Sequence, residues 1–344
     1  MSLHLNLRPH RLQFKEEART SRGSYSVHDV WYVRMTADEI PGHEGIGECA
    51  PLPDLSCDAL PGHYETVLRR ECQVVEATGR IDTDRLRPYP SMLFGLETAW
   101  LHLQAGSPRL FDTAFSRGEA GIMINGLVWM GDFTTMMRRL EAKLEAGYHC
   151  VKLKIGAIRF DEELELVRHI RQRFSAADIE LRLDANGAFQ PDEALGKLNQ
   201  LAAYDIHSIE QPIRAGQPDA MARLCRESPI SIALDEELIG IHSPEAKRTL
   251  LETVRPHYII IKPSLHGALS GAAEWAAEAR RIGIRYWMTS ALESNVGLNA
   301  IAQWTAHHFH DTVPLPQGLG TGQLYENNIP SPLQIIGDRL WYKA

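Results

Sequence analysis

From residue 120 onward the chain alternates between short apolar runs and longer stretches with helical spacing of apolar positions. The runs are GIMIN (121–125), HCVKLKI (149–155), IELRLD (179–184), IHSIE (206–210), ISIALD (230–235), HYIIIK (257–262) and IRYWMTS (284–290). This alternation predicts stacked βα units on a parallel sheet. Each run ends in, or one residue after, a polar or charged residue. From Lys154 the ends follow at Asp184, Glu210, Asp235, Lys262 and Ser290, at intervals of 30, 26, 25, 27 and 28 residues. That period is one strand, one helix and two loops. Seven or eight such units close into a (β/α) barrel, whose strand tips converge on one mouth. An open doubly wound sheet would concentrate its chemistry at a single switch point.

The first 118 residues are patterned differently. A strand-like run DVWYVRM (29–35) and helix-like segments HYETVLRRECQVVEATG (63–79) and PSMLFGLETAWLHLQA (90–105) are separated by the Gly/Pro-rich EIPGHEGIGECAPLPDLS (39–56). The expected organisation is an α+β domain over 1–118, a barrel over 119–320 and a tail over 321–344. The tail ends in IIGDRLWYKA, has strand character and is expected to pack back on the first domain.

Composition narrows the partners. At 344 residues and 44% hydrophobic, the chain can bury a large core. A net charge of -8 disfavours nucleic acid and anionic membranes and leaves a small molecule as the expected partner. Five cysteines at irregular spacing, without a CxxC pair, predict neither a disulfide framework nor a zinc site. The N-terminal MSLHLNLRPH lacks an apolar h-region, and no segment approaches about 18 uninterrupted apolar residues, so cytoplasm is the expected compartment.

The strand tips carry the candidate chemistry. Asp184, Glu210 and Asp235 come from consecutive units and form an all-oxygen, triply anionic set suited to Mg²⁺, with Mn²⁺ as a substitute. A lone strand-end carboxylate is more often a helix cap, but three at matched spacing point to a metal. In VKLKIGA (151–157) successive side chains alternate faces, so Lys152 and Lys154 share one face, with Val151, Leu153 and Ile155 on the other. Lys262 ends the sixth run. An ammonium near a divalent cation and a second ammonium is expected to have a lowered pKa, which makes Lys154 the proton-transferring base and Lys152 its tuning neighbour. A base beside a carboxylate-held metal suits proton abstraction next to a carboxylate, the charge of the enediolate being met by the metal and by Lys262.

The stretches VKLKIG, RLDANGAF, IEQPI, ALDEEL and IIIKPS resemble, in order, those of the enolase superfamily and its muconate-lactonizing subgroup. That resemblance implies an α/β fold, an enolase-type modified (β/α) barrel under an N-terminal α+β capping domain. It places Lys152 and Lys154 on the second barrel strand, the Mg²⁺ ligands Asp184, Glu210 and Asp235 on the third to fifth, and Lys262 on the sixth. GIGECAPLPDLS, PSMLFGLET and SALESNVGLNAIAQW resemble the members that dehydrate a hydroxycyclohexadiene carboxylate. For those, Lys154 would remove the proton alpha to the carboxylate and return it to the departing hydroxide, with Lys262 as the cation on the opposite face. Asn186 and Glu236 would support the ligands. Ser264, Ser290 and Ala291, with Arg22 and Gly23 of a lid loop TSRGSY (20–25), would contact a small-molecule carboxylate substrate. A homo-oligomer is compatible with this reading.

Other signals are weaker. GLGTG (318–322) follows no clear strand and reads as a turn, not a dinucleotide loop. His307, His308 and His310 end a helix-like run and are expected to solvate its terminus. Racemases of N-acylamino acids and dipeptide epimerases, which use both lysines as bases, are the alternative within the same chemistry. Dipeptide epimerases carry an Asp-x-Asp pair at the eighth strand, where this chain reads PLPQGLGTG. A non-catalytic metal-binding barrel is the alternative of another class, disfavoured by the joint presence of base, ligands and opposing lysine.

Overall fold

A computed structural model describes residues 1–20 and 23–343. The first layer is an antiparallel sheet of β1 (Leu3–Thr20), β2 (Gly23–Ala37) and β3 (Gly45–Cys49). Strand β2 serves two cores because its burial changes phase. His28, Val30 and Tyr32 are buried on one face, and Val33, Met35 and Ala37 on the other. The second set packs with α1 (Tyr64–Thr78), α2 (Thr83–Leu86) and α3 (Pro90–Ala105). The first set, with Leu12, Phe14 and Ala18 of β1, packs on Leu265, Ala291 and Leu292 at the barrel mouth. A bulge between Gln13 and Ala18 bends the hairpin end there.

Helix α3 lies so close to β3 that a Cβ at Gly45 would run into the carbonyl of Ala99, and one at Gly47 into that of Gly95. The GIG pair therefore exists to seat the helix.

Strands β4 (Ile122–Met123) and β5 (Gly126–Val128) lead into alternating helices and strands: α4 (Phe133–Glu145), β6 (Cys150–Lys154), α5 (Phe160–Arg173), β7 (Glu180–Asp184), α6 (Pro191–Leu201), β8 (Ser208–Glu210), α7 (Pro218–Glu227) and β9 (Ile232–Leu234). Helix α8 (Pro244–Val254), β10 (Tyr258–Ile261), α9 (Ala268–Arg281), β11 (Arg285–Met288) and α10 (Asn295–His308) complete the series. Strands β5 to β11 form one parallel sheet in sequence order. Residues 317 and 318 close it: Gln317 bridges in parallel to Ile124, and Gly318 to Thr289.

Three expectations change here. GIMIN divides, with Ile122–Met123 in another sheet and the first barrel strand beginning at Gly126. GLGTG is a turn only at its end: Gly318 belongs to the eighth stave, its backbone bonded to Met288 and Ser290 with no room for a side chain against Thr289, and the turn comes at Gly322 and Gln323. The segment after residue 320 also divides. Residues 324–326 hydrogen-bond to β1, whereas β12 (Leu333–Ile336) pairs with β13 (Arg339–Tyr342) and β13 with β4, and neither with the first sheet. The five cysteines are free, and no described helix is long and apolar enough to cross a membrane.

Candidate active site

The strand register sets the site. Lys154 pairs with Asp184 across β6 and β7, and Asp184 with Glu210 across β7 and β8, so three groups stand at one height on adjacent strands. Asp235 and Lys262 follow directly on β9 and β10. Counting the stave at residues 317 and 318, the ring has eight positions, and β6 and β10 are four apart. Lys154 and Lys262 therefore reach the mouth from opposite sides.

The charges are paired within the barrel. Lys152 Nζ donates to Glu210 Oε2 at 2.9 Å and lies 3.2 Å from Asp184 Oδ2. Lys154 Nζ donates to Asp184 Oδ2 at 2.8 Å and to Asn186 Oδ1 at 2.7 Å. Lys262 Nζ donates to Asp235 Oδ2. Asn186, in a left-handed conformation at φ 44, donates its own N–H to Asp184 Oδ1 and its amide to Glu236 Oε1. Asparagine tolerates that conformation better than most residues, which lets the chain turn sharply after the ligand strand.

Burial opposes every charge here. It works against the Lys152 ammonium, but Glu210 and Asp184 outweigh it and hold the group above its usual value. Lys262 is likewise raised by Asp235 against burial. Burial raises Asp184 and Asp235, and the lysines outweigh it and bring both down. Glu210 is pushed up, first by burial and then by Asp184. The carboxylates are the nearest opposite charges of Lys152 and Lys262, and their attraction outweighs the cost of burial.

Among the described residues, no three His, Cys, Asp or Glu side chains already close on one point with metal-binding geometry. The donor set nevertheless fits a hard cation. Glu210 Oε1 and Asp235 Oδ1 are buried and have no hydrogen-bond partner among the described residues. Buried carboxylate oxygens in that condition are costly, and an oxygen-seeking dication satisfies them.

A cavity of about 310 Å³ opens above these groups. Lys152, Lys154, Lys262, Asn186 and Glu236 line it, as do Ser290, Ala291 and the apolar Leu127, Trp129 and Leu265. The Trp129 ring lies 5.7 Å from Lys154 Nζ. Ser290 shares a 2.6 Å hydrogen bond with Thr321, three residues beyond the eighth stave. Ser264 is placed elsewhere: it is fully buried and its hydroxyl goes to Glu293, so it braces the loops and does not face the cavity. Arg22 lies outside the described residues. Gly23 begins β2 opposite Thr20. From the same hairpin, Glu16 and Tyr25 reach the cavity wall. His307 is exposed at the end of α10 while stacking on Phe111, His310 is exposed just beyond it, and half-buried His308 stacks on Trp304. Burial lowers His308 to about 4.

Several positioning residues escape sequence reading. Gln211 holds a left-handed φ of 40 directly after Glu210, and its side-chain amide oxygen Oε1 accepts from the N–H groups of Asp235 and Glu237. Glu293 accepts from Ala291 N–H at 2.7 Å and from Ser264. Glu48 of β3 reaches across the layers to accept from Ser294 N–H at 2.7 Å and Gly297 N–H at 2.8 Å at the start of α10. The only signal for each was a polar residue within an apolar context.

A family model described as enolase C-terminal domain-like matches residues 135–339. An o-succinylbenzoate synthase of Desulfotalea psychrophila is 43% identical, over 98% of this chain and 98% of its own length. The crystal structure of MenC from Desulfotalea psychrophila superposes with a TM-score of 0.82 at 40% identity, covering 99% of this chain and 100% of that one. The fold is also that of a dipeptide epimerase from Enterococcus faecalis complexed with Mg and dipeptide L-Leu-L-Tyr, with a TM-score of 0.85 at 19% identity, covering 100% and 98%.

Proposed function

The chain belongs to the enolase superfamily and to its o-succinylbenzoate synthases, and we propose that its site carries out Mg²⁺-dependent syn dehydration of 2-succinyl-6-hydroxy-2,4-cyclohexadiene-1-carboxylate. One observation supports this above others: Lys154 and Lys262 reach a single cavity from opposite sides of the ring, over three buried carboxylates. Superfamily members typically bind Mg²⁺. Asp184, Glu210 and Asp235 would hold it here, and when bound it supplies positive charge for the enediolate.

Lys154 sheds a proton and exchanges its contact with Asp184 for the substrate. Its Nζ then takes the proton alpha to the ring carboxylate. Lys262, on the opposite side, stays cationic and faces the anion that forms. The carbon–oxygen bond breaks, Lys154 returns the proton to the departing hydroxide, and water leaves with the aromatic acid. Asn186 and Lys152 keep Lys154 and the carboxylates in place.

The test is ultraviolet absorbance during aromatisation of this substrate, with Mg²⁺ present and with chelator. Turnover with Mg²⁺ alone is expected. Absence of aromatisation, with rapid racemisation of an N-acylamino acid, overturns the reading in favour of the racemase. The second reading is kept because lysines stand on both sides. Dipeptide epimerisation is disfavoured, since the eighth stave, PQGLGTG, carries no acid to grip a substrate ammonium.

A further inference from the structure

The cavity also has cations that the proton transfer does not use. Arg139 and Lys143 stand four residues apart on α4, hence on one helix face, and both line the cavity beside Tyr148. Helix α4 runs back antiparallel to the strands, and Lys143 is in its last turn. The cavity therefore extends away from the strand tips toward this residue.

The two cations differ in how they are satisfied. Arg139 donates to the carbonyls of Trp129 at 3.3 Å and Met130 at 3.0 Å, and to Glu16 at 3.0 Å. Lys143 forms no ion pair among the described residues, and its ammonium stands 5.1 Å from the Tyr148 ring centre. Burial holds it below its ordinary pKa, with no acid acting to raise it. A partly buried ammonium without a counter-charge is unfavourable until an anion arrives. Between this point and the lysine cluster the wall is largely apolar, with Leu127 and Trp129 from β5 and the loop after it. Cationic ends separated by apolar wall match a dianion whose two carboxylates are joined by a carbon skeleton.

We propose that Lys143 receives the second, distal carboxylate of a dicarboxylate substrate. The assignment rests on the synthase reading, in which the ring carboxylate stays at the strand tips and the succinyl carboxylate reaches α4. Lys143 is then a specificity-determining residue, and its contact is the same in ground and transition states. Its loss acts on KM, with little effect on kcat.

The experiment compares wild type, K143Q and K143R with Mg²⁺ bound. Calorimetry measures the affinity for o-succinylbenzoate and for 2-butanoylbenzoate, which lacks the distal carboxylate. Wild type is expected to prefer the dicarboxylate about tenfold or more, K143Q to bind both alike, and K143R to recover part of the preference. KM for the dehydration substrate rises by a similar factor in K143Q while kcat is retained, which also shows that the variant is folded. If K143Q keeps the wild-type preference and KM, the subsite is wrong while the synthase reading stands. If the wild type itself does not dehydrate the substrate, the reading fails and the subsite with it.

Discussion

Lys154 and Asp184 face each other in the register of β6 and β7, and their side chains meet at 2.8 Å. The proposed base is thus held by a proposed metal ligand. Lys152, two residues earlier on the same strand, reaches the same carboxylate at 3.2 Å. A dication on the carboxylates would compete with both ammonium groups for that oxygen. Placement of the base is in this way tied to the ligand carboxylate through one oxygen atom.

Replacing Lys154 with Ala should reduce dehydration by about 10²–10⁴-fold or more. Exchange of the substrate's alpha hydrogen with solvent deuterium, followed by NMR, should stop as well. Exchange persisting at the wild-type rate would assign the base to another group.

Asp184→Asn, Glu210→Asn and Asp235→Asn should each nearly abolish turnover and weaken Mg²⁺ binding measured by calorimetry. In the wild type, Mg²⁺ at about 100 times its Kd should stabilise the fold by about 2.7 kcal/mol, seen as a raised Tm. Full activity in metal-free buffer is the outcome that contradicts the ligand assignment.

Lys262→Arg keeps a cation beside Asp235 but one that does not readily give up a proton. Measurable dehydration should remain, whereas any racemisation of an N-acylamino acid, which needs a base on each side, should vanish. Equal loss of both activities would show that Lys262 also transfers a proton during dehydration.

Glu48 gives a pH dependence remote from the chemistry. It is fully buried, and desolvation raises it from 4.5 to about 7 against the bonds from Ser294 and Gly297. A raised folded-state pKa means that the folded protein binds the proton more tightly. This contribution is complete below about pH 4.5 and is lost as pH rises through about 7. The full difference is about 3 kcal/mol in order of magnitude. Glu48→Gln should therefore flatten the fall of Tm between these values relative to wild type, measured by scanning calorimetry. An unchanged slope would refute the assignment.

The sequence by itself determined the βα repeat and the residues at the strand tips. Alternation with period two and a repeat of 25 to 30 residues are local consequences of side-chain geometry and element length, so they can be read without knowing the fold. For the same reason VKLKI placed both lysines on one face, and α1 and α3 appear at the expected positions. Other features depended on contacts between distant segments. Gly318 reads as a turn until Met288 and Asn125, far away in the chain, provide the strands it lies between. Ser264 reads as a substrate contact until Glu293 takes its hydroxyl. Lysine pKa direction was likewise undecidable from spacing, since it follows from which charges lie within a few ångströms in a buried, poorly screened interior. The uncommitted ammonium of Lys143 is the same kind of fact: an amphipathic helix carries many cations on its surface, and only packing against the cavity distinguishes this one.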